Sequence, residues 1–422
     1  MNSGSDRNTG DKSGEWRKGW PLVLTAALAS GIGPFHTWSL GAMMLPLNRD
    51  FGWTRAQISA GAFIVSVVGL LAGPLTGWLI DRVGARRIGL ISPWLFAAGL
   101  VLIGQTGPAI WTWYAAFALI AVVTPAVTAL VWSTAIVSRF DVQRGLALGV
   151  VISGIAVLGG MVPIYMTWAI TVMSWRLAYA SLGAIALLAT VIPVYFFFYE
   201  ASDLVRRGRG DLLPRGAAAT IQQGMTFSDA ARTARFWKLL VVLVVLGGVS
   251  GFFSVHLLPL LTDAGITPQT AAFILTGIVP AVIVARITTG ALLDRVFAPY
   301  VLVGVLVLPI VACILLATQA VTIPLGWLIA ILVGWSLGAE GDVIPFLTSR
   351  YFGRRSYSAI YGSAVAAFTL GYGTGPLIGG AVQDATGSYY WLMVGSGVAL
   401  LATMAVVLTL GPYTVFASED TE

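Results

Sequence analysis

Charge is scarce in this chain. Only 10% of its 422 residues are Asp, Glu, Lys or Arg, and 57% are hydrophobic. The mean hydropathy is +0.87. A soluble domain carries about 25% charged residues, so water is excluded as the solvent for most of the chain. Cysteine is almost absent. Cys313, the only one, lies in an apolar run, which excludes a disulfide framework and leaves packing as its role. No His, Cys or acid recurs at ligand spacing, so no metal is expected, and no cofactor. No nucleophile–base set appears, which argues against an enzyme. The net charge of +6 would suggest nucleic acid in a soluble protein. Here it reflects basic loops beside anionic lipid head groups, and no nucleic-acid partner is expected. The first 19 residues are polar and mixed in charge, and the first apolar run is long enough to span. No cleavable signal peptide is expected.

What the chain has instead is long apolar runs. A helix needs about 20 apolar residues to cross a bilayer. Hydropathy predicts spans at 20–46, 57–80, 88–106, 111–137, 146–170 and 177–199. A second set follows at 237–261, 270–293, 299–318, 323–348, 358–382 and 389–411. Between the sets lies a polar, arginine-rich segment with Gly208, Gly210 and Pro214, part of which, around 227–237, reads as a short interfacial helix. The expected organisation is a tail at 1–19, a six-helix bundle at 20–199, a linker at 200–236, a second bundle at 237–412 and a tail at 413–422. With both ends cytoplasmic, 20 of the 24 basic residues fall in cytoplasmic segments, three (Arg49, Arg55, Arg176) in outer loops, and Arg286 within a span. That asymmetry predicts both termini inside.

The two sets are related. A shift of 213 residues lays Leu45-Pro46-Leu47 on Leu258-Pro259-Leu260. It lays Asp50, Gly52 and Thr54 on Asp263, Gly265 and Thr267, and Gly77, Leu79, Asp81, Arg82 and Val83 on Gly290, Leu292, Asp294, Arg295 and Val296. Ser138-Arg139-Phe140 is echoed by Ser349-Arg350-Tyr351. Two pseudo-symmetric halves around a site at mid-depth suit alternating access.

The segment Gly77-Trp78-Leu79-Ile80-Asp81-Arg82-Val83-Gly84-Ala85-Arg86-Arg87 joins two apolar runs. Its pattern, G-x-L-x-D-R-x-G-x-R-R, resembles the loop between helices 2 and 3 of the major facilitator superfamily. The resemblance implies an all-α integral membrane fold of twelve transmembrane helices in two six-helix bundles. It also implies a cytoplasmic gate built from Asp81, Arg82, Arg86, Arg87, Arg139, Asp294, Arg295 and Arg350.

Arg286 lies about 12 Å along the helix axis from Asp294, and its repeat position is Gly73. A charge at that depth costs about 2.5–3.5 kcal/mol or more, so it faces a cavity or a partner. It is either an anion clamp or half of a buried ion pair. Glu340 and Asp342 in span 10 lie at similar depth and are the two acids well inside the membrane among 18. Two residues apart on a helix, they point about 200° apart. Either could carry a proton or form a permanent bridge. His36 in span 1 and His256 in span 7 could touch substrate or carry protons, or sit neutral against a carbonyl. Trp38, Trp132, Tyr165, Phe252, Trp335, Tyr361 and Tyr372 crowd the candidate cavity, as substrate contacts or as packing. Gly371-x3-Gly375-Pro376-x2-Gly379-Gly380 resembles a drug-antiporter signature but lies in span 11; it reads as close packing plus a bend.

Further motifs narrow the resemblance. They are Met43–Gln57 at the end of span 1, Arg144-Gly145-Leu146-Ala147-Leu148-Gly149, Ser174-Trp175-Arg176-Leu177-Ala178-Tyr179, and the run Ala339–Gly353. Together they resemble the bacterial monocarboxylate porters near the oxalate/formate antiporters. In that family a span-8 arginine holds the substrate carboxylate, and Arg286 matches it. The family's span-1 lysine is unmatched, Val282 stands one turn before Arg286 where an aspartate is used, and 357–383 contains no lysine. A second cationic clamp is therefore missing, which favours one carboxylate. The expected function is proton-coupled transport of a small organic monocarboxylate by a monomer in a bacterial inner membrane. The substrate contacts are Arg286, His36, Trp38, His256, Trp335, Tyr361 and Tyr372, with Glu340 or Asp342 managing the proton. The alternatives are a drug or organic-cation/proton antiporter, or a non-transporting sensor of the same fold; short tails argue against the sensor.

Overall fold

The computed structural model describes residues 12–140, 143–199, 224–293, 295–318, 320–353 and 355–413, and every regular element among them is helical. Among the described residues, eleven segments are long and apolar enough to cross a bilayer. Spans 2 to 6 are the helices Arg55–Val83, Ala85–Gly104, Ile110–Val123 continued by Ala129–Arg139, Arg144–Val172 and Trp175–Phe197. Spans 7 to 12 are Ala234–Asp263, Pro268–Leu275 continued by Ile278–Leu293, Ala298–Thr318, Ile323–Phe352, Tyr357–Thr386 and Tyr390–Leu408.

The twelfth crossing, span 1, corrects the expectation of one continuous helix over 20–46. It is three helices, Lys12–Gly31, Phe35–Trp38 and Leu40–Phe51. Pro34 has no N–H to donate and begins the middle piece, between Gly33 and Phe35. Pro125 interrupts span 4 in the same way with a 3₁₀ turn, Thr124–Val127. Span 8 breaks at 276–277, because Pro280 cannot donate to the carbonyl of Thr276. The interfacial helix expected around 227–237 is shorter, Phe227–Ala231, and Trp237 already belongs to span 7. Most of the linker, 200–223, lies outside the described residues.

The internal repeat has a local cause. Gly52 and Gly265 both take the left-handed conformation, at φ 69° and 89°, which costs glycine little. Each ends a helix, and the threonine two residues on opens the next. Thr54 accepts a hydrogen bond from the backbone N–H of Gln57, and Thr267 from that of Thr270. The conserved register between halves is thus a helix stop, a glycine turn and a helix start.

Packing repeats the same symmetry. Spans 1 and 5, 2 and 4, and 3 and 6 pair in the first half; spans 7 and 11, 8 and 10, and 9 and 12 pair in the second. Between halves, span 2 lies on span 11, span 5 on span 8, and span 1 on span 7. The contact is one-sided. Call the side of the molecule bearing the start of span 1 and the end of span 12 the terminal side, and the opposite one the far side. Toward the far side, Gly380 lies on the backbone of Ala56, Gly373 on Ala62 and Ser66, and Gly41 on Val255. The same faces of spans 2 and 11 continue to Gly73, Gly77 and Gly362, where an added methyl would meet nothing within 4 Å. The halves touch on the far side, around a surface cavity lined by Arg55, Asp263 and Asp384, and their faces part toward the terminal side, which leaves a cleft between them there.

Candidate functional site

Span 10 carries glycines at 334, 338 and 341, one stripe of its surface at helical spacing. Span 8 lies in that stripe. Gly334 meets the backbone of Ile278, and Gly338 that of Val282. One step further, the terminal N–H edge of the Arg286 guanidinium abuts Gly341: a methyl there would come 2.7 Å from Nη2 and 3.2 Å from Nη1. From this seat Nη1 donates to Asp342 Oδ1 at 3.2 Å. The pair is 15% and 29% exposed at its side chains. Tyr361 of span 11, stacked on Tyr357 at 5.5 Å, is within electrostatic reach of Arg286.

Arg286 is under-used. A guanidinium has five N–H donors, the bond to Asp342 is single and long, and buried Nε has no partner. Elsewhere Arg55 binds Asp263 with two bonds of 2.6 and 2.7 Å. A second carboxylate can therefore dock on Arg286 without every existing bond breaking first. Gly341→Ala should push the guanidinium off its seat. Because the displaced atoms are the end of a flexible side chain, thermal stability in detergent should hold. Substrate affinity should fall on the order of tenfold, ~1.4 kcal/mol, as read by KM. An unchanged KM would show that the seat is irrelevant.

The two span-10 acids part company as their spacing requires. Asp342 faces span 8 and the cleft. Glu340 faces span 7, is 2% exposed, and has no cation beside it. Its Oε1 accepts from Ser250 at 2.7 Å and from Ser336, one turn earlier, at 3.1 Å. Its Oε2 is buried without a partner. The polar run continues: Ser254 donates to the carbonyl of Ser250 at 2.8 Å, and Tyr372 donates to Ser254 at 2.7 Å. The Trp38 indole of the first half approaches the Tyr372 hydroxyl. Ser250, Ser254 and Ser336 were not anticipated, although Ser336 and Glu340 stand one helical turn apart, a visible signal.

The remaining expected site residues scatter. Trp335 is half-buried on span 10. His36 is buried inside the first half, edge-on to Phe96 and Phe117 at 5.8 and 6.4 Å, with neither ring nitrogen partnered. His256 is fully buried toward the far side, stacked on Phe252 at 5.2 Å and hydrogen-bonded through both nitrogens. Trp132 is a packed core residue that donates to Val127; Tyr165 donates to Ser181. Neither histidine joins the Arg286 cluster.

Where the residues expected at a gate make contacts, those contacts lie within their own halves. Arg82 lies over Trp78 at 5.3 Å. Arg86 donates to the Tyr195 carbonyl at 2.9 Å and lies over Tyr199. Arg350 lies over Phe346 and Tyr413. Arg87 and Arg295 are exposed, and Arg139 is half-buried at the end of span 4. Asp294 and the Asp81 side chain lie outside the described residues.

Two pseudo-symmetric six-helix halves closed on one side, with a cation in the cleft, define a multi-pass membrane transporter. The chain belongs to the Major Facilitator Superfamily, whose family model matches residues 26–376, and this is a family of transporters of small molecules, not of enzymes. Monocarboxylate transporter 13 of Bos taurus is 24% identical over 410 residues, 96% of this chain and 92% of that protein. The uncharacterized MFS-type transporter YhjX of Escherichia coli K12 is 22% identical over 354 residues, 83% of this chain and 84% of that one. Among solved structures, a bacterial homologue of the human lysosomal transporter Spinster, inward-facing and occupied, matches with a TM-score of 0.69 at 16% identity, covering 94% of this chain and 97% of that one.

Proposed function

We propose that this protein carries a small organic monocarboxylate together with a proton across a bacterial cytoplasmic membrane by alternating access, with the terminal side cytoplasmic. The observation that carries the reading is the Arg286–Asp342 pair: an ionised guanidinium in the cleft, held by one long bond and with donors to spare. An incoming carboxylate takes the free donors and competes with Asp342. One cation then faces two carboxylates, and a proton restores neutrality. Trp38, Tyr361 and Tyr372 are the aromatic surfaces available to the organic part of the substrate. The relatives named monocarboxylate transporters support this reading at low identity.

An uptake assay in proteoliposomes tests it. Labelled monocarboxylates such as lactate or benzoate are offered with and without an inward proton gradient. At least one should accumulate, and the gradient should raise accumulation about tenfold per pH unit for one proton per substrate. Dicarboxylates should be poor substrates. Proton-driven expulsion of an organic cation, with no carboxylate moved, would overturn the proposal in favour of efflux.

A further inference from the structure

The far side is held shut by more than apolar contact. Arg55, the first residue of span 2, reaches across the halves to Asp263 at the end of span 7, with Nη1 to Oδ2 at 2.6 Å and Nη2 to Oδ1 at 2.7 Å. Nη1 also donates to the Tyr389 hydroxyl at 2.7 Å. Asp384, near the end of span 11, accepts from the backbone N–H groups of Arg55 and Ala56 at 3.0 and 2.8 Å. These are N–H groups that a helix start leaves free, at the positive end of its dipole. Thr54 already caps the next one through Gln57, so two aspartates of one half enclose the charged start of a helix from the other.

A strut stands behind them. The Tyr389 hydroxyl, having accepted from Arg55, donates to His256 Nδ1 at 2.8 Å. His256 Nε2–H donates to the Pro376 carbonyl at 2.8 Å, with Ser59 Oγ of the other half at 3.1 Å. The pattern admits one neutral tautomer and leaves no ring nitrogen idle. Tyr389, His256 and Pro376 all belong to the second half, so separation of the halves removes Arg55 and Ser59 and leaves this strut standing.

Two features mark the cluster as a device for closure, not permanent assembly. Among the described residues, Arg55–Asp263 is the one salt bridge that joins the halves; Arg176–Asp50 and Arg286–Asp342 each lie within a half. The repeat makes the difference plain. Asp50, the counterpart of Asp263, turns inward to Trp175 at 2.7 Å, and the counterpart of Arg55 is Pro268. Internal symmetry therefore demanded no such bridge. Its exposure is also intermediate, 22% for Arg55 and 41% for Asp263. A fully buried pair would be too costly to separate, and a fully exposed one too weak to hold.

We propose that Arg55, Asp263, Asp384 and Tyr389 form a latch that closes the far side and breaks each time the transporter opens there. The inference rests on alternating access but not on the identity of the substrate.

The test is therefore made without substrate. Spin labels at Ala109→Cys and Ala385→Cys, exposed far-side positions in opposite halves, are placed on a Cys313→Ala background in nanodiscs. Electron–electron double resonance then reads the distance between halves. The parent should show one short distance. Arg55→Gln and Asp263→Asn should each raise the long-distance fraction about tenfold. Asp384→Asn and Tyr389→Phe, milder changes that carry the test if the first two insert poorly, should raise it about threefold. The charge swap Arg55→Asp with Asp263→Arg should return the short distance. Unchanged distances in the single variants, or shifted singles that the swap does not restore, would overturn the latch. Failure of every carboxylate in the uptake assay would leave this result intact.

Discussion

Arg286→Lys should abolish carboxylate binding while the protein still inserts and folds. The lysine keeps the charge, so the effect isolates geometry. A guanidinium offers a planar fork that matches a carboxylate; an ammonium offers a compact point charge on a flexible stem. In this site the fork lies on Gly341 with Nη1 directed to Asp342 and Nε unpartnered. An ammonium at the same position would settle on Asp342 and present nothing in register to a second carboxylate. Truncating one partner of a buried charge pair costs about 2–5 kcal/mol, so Arg286→Ala should weaken binding by roughly 30-fold or more. Isothermal titration with a transported acid measures both variants. The alanine variant also strands Asp342, so it should lose some thermal stability as well, which the lysine variant should not. Affinity in Arg286→Lys within about threefold of the parent would remove Arg286 from the site and leave it as half of a structural bridge.

Much of this arrangement is legible in the sequence. Long apolar runs, the 213-residue repeat and the Gly77–Arg87 loop carry the fold, because the bilayer constrains helix length and the halves share their turn chemistry. Arg286 stood out because a lone charge in a span needs a reason. Spacing also said that Glu340 and Asp342 must diverge, but not which one meets Arg286. That depends on the glycine stripe of span 10, which determines the face that span 8 occupies. The break in span 1 was hidden by high hydropathy, with Gly31, Gly33 and Pro34 the hint. Arg55 read as an outer-loop charge. Its partner Asp263 lies 208 residues away, and a contact between halves depends on how they are closed, which no local pattern encodes. His256 likewise drew its partners from spans 2, 11 and 12 only once those were packed.

Neutralising Asp342 should uncouple transport from protons, and neutralising Glu340 should not. The argument is charge balance. In the resting site Arg286 and Asp342 cancel. A substrate carboxylate on Arg286 leaves one net negative charge in a low-dielectric cleft, which is strongly unfavourable. A proton on Asp342 cancels it, and the site can then turn over electroneutrally. In the proposed cycle proton and substrate arrive together and leave together, because each offsets the charge of the other. Glu340 has no cation to share; its Oε1 is held by the hydroxyls of Ser250 and Ser336. Asp342→Asn therefore keeps exchange of labelled for unlabelled substrate across the liposome membrane, since the asparagine already supplies the neutral form. It should lose nearly all accumulation driven by a pH gradient, on the order of a tenfold effect per pH unit. Glu340→Gln should retain both, because an amide oxygen accepts the same two hydroxyls, with only a modest change in melting temperature. Loss of gradient-driven accumulation in Glu340→Gln, with Asp342→Asn still accumulating, would transfer the proton to Glu340 and its serine–tyrosine run toward Trp38. Accumulation retained in both variants would take the proton out of span 10 altogether.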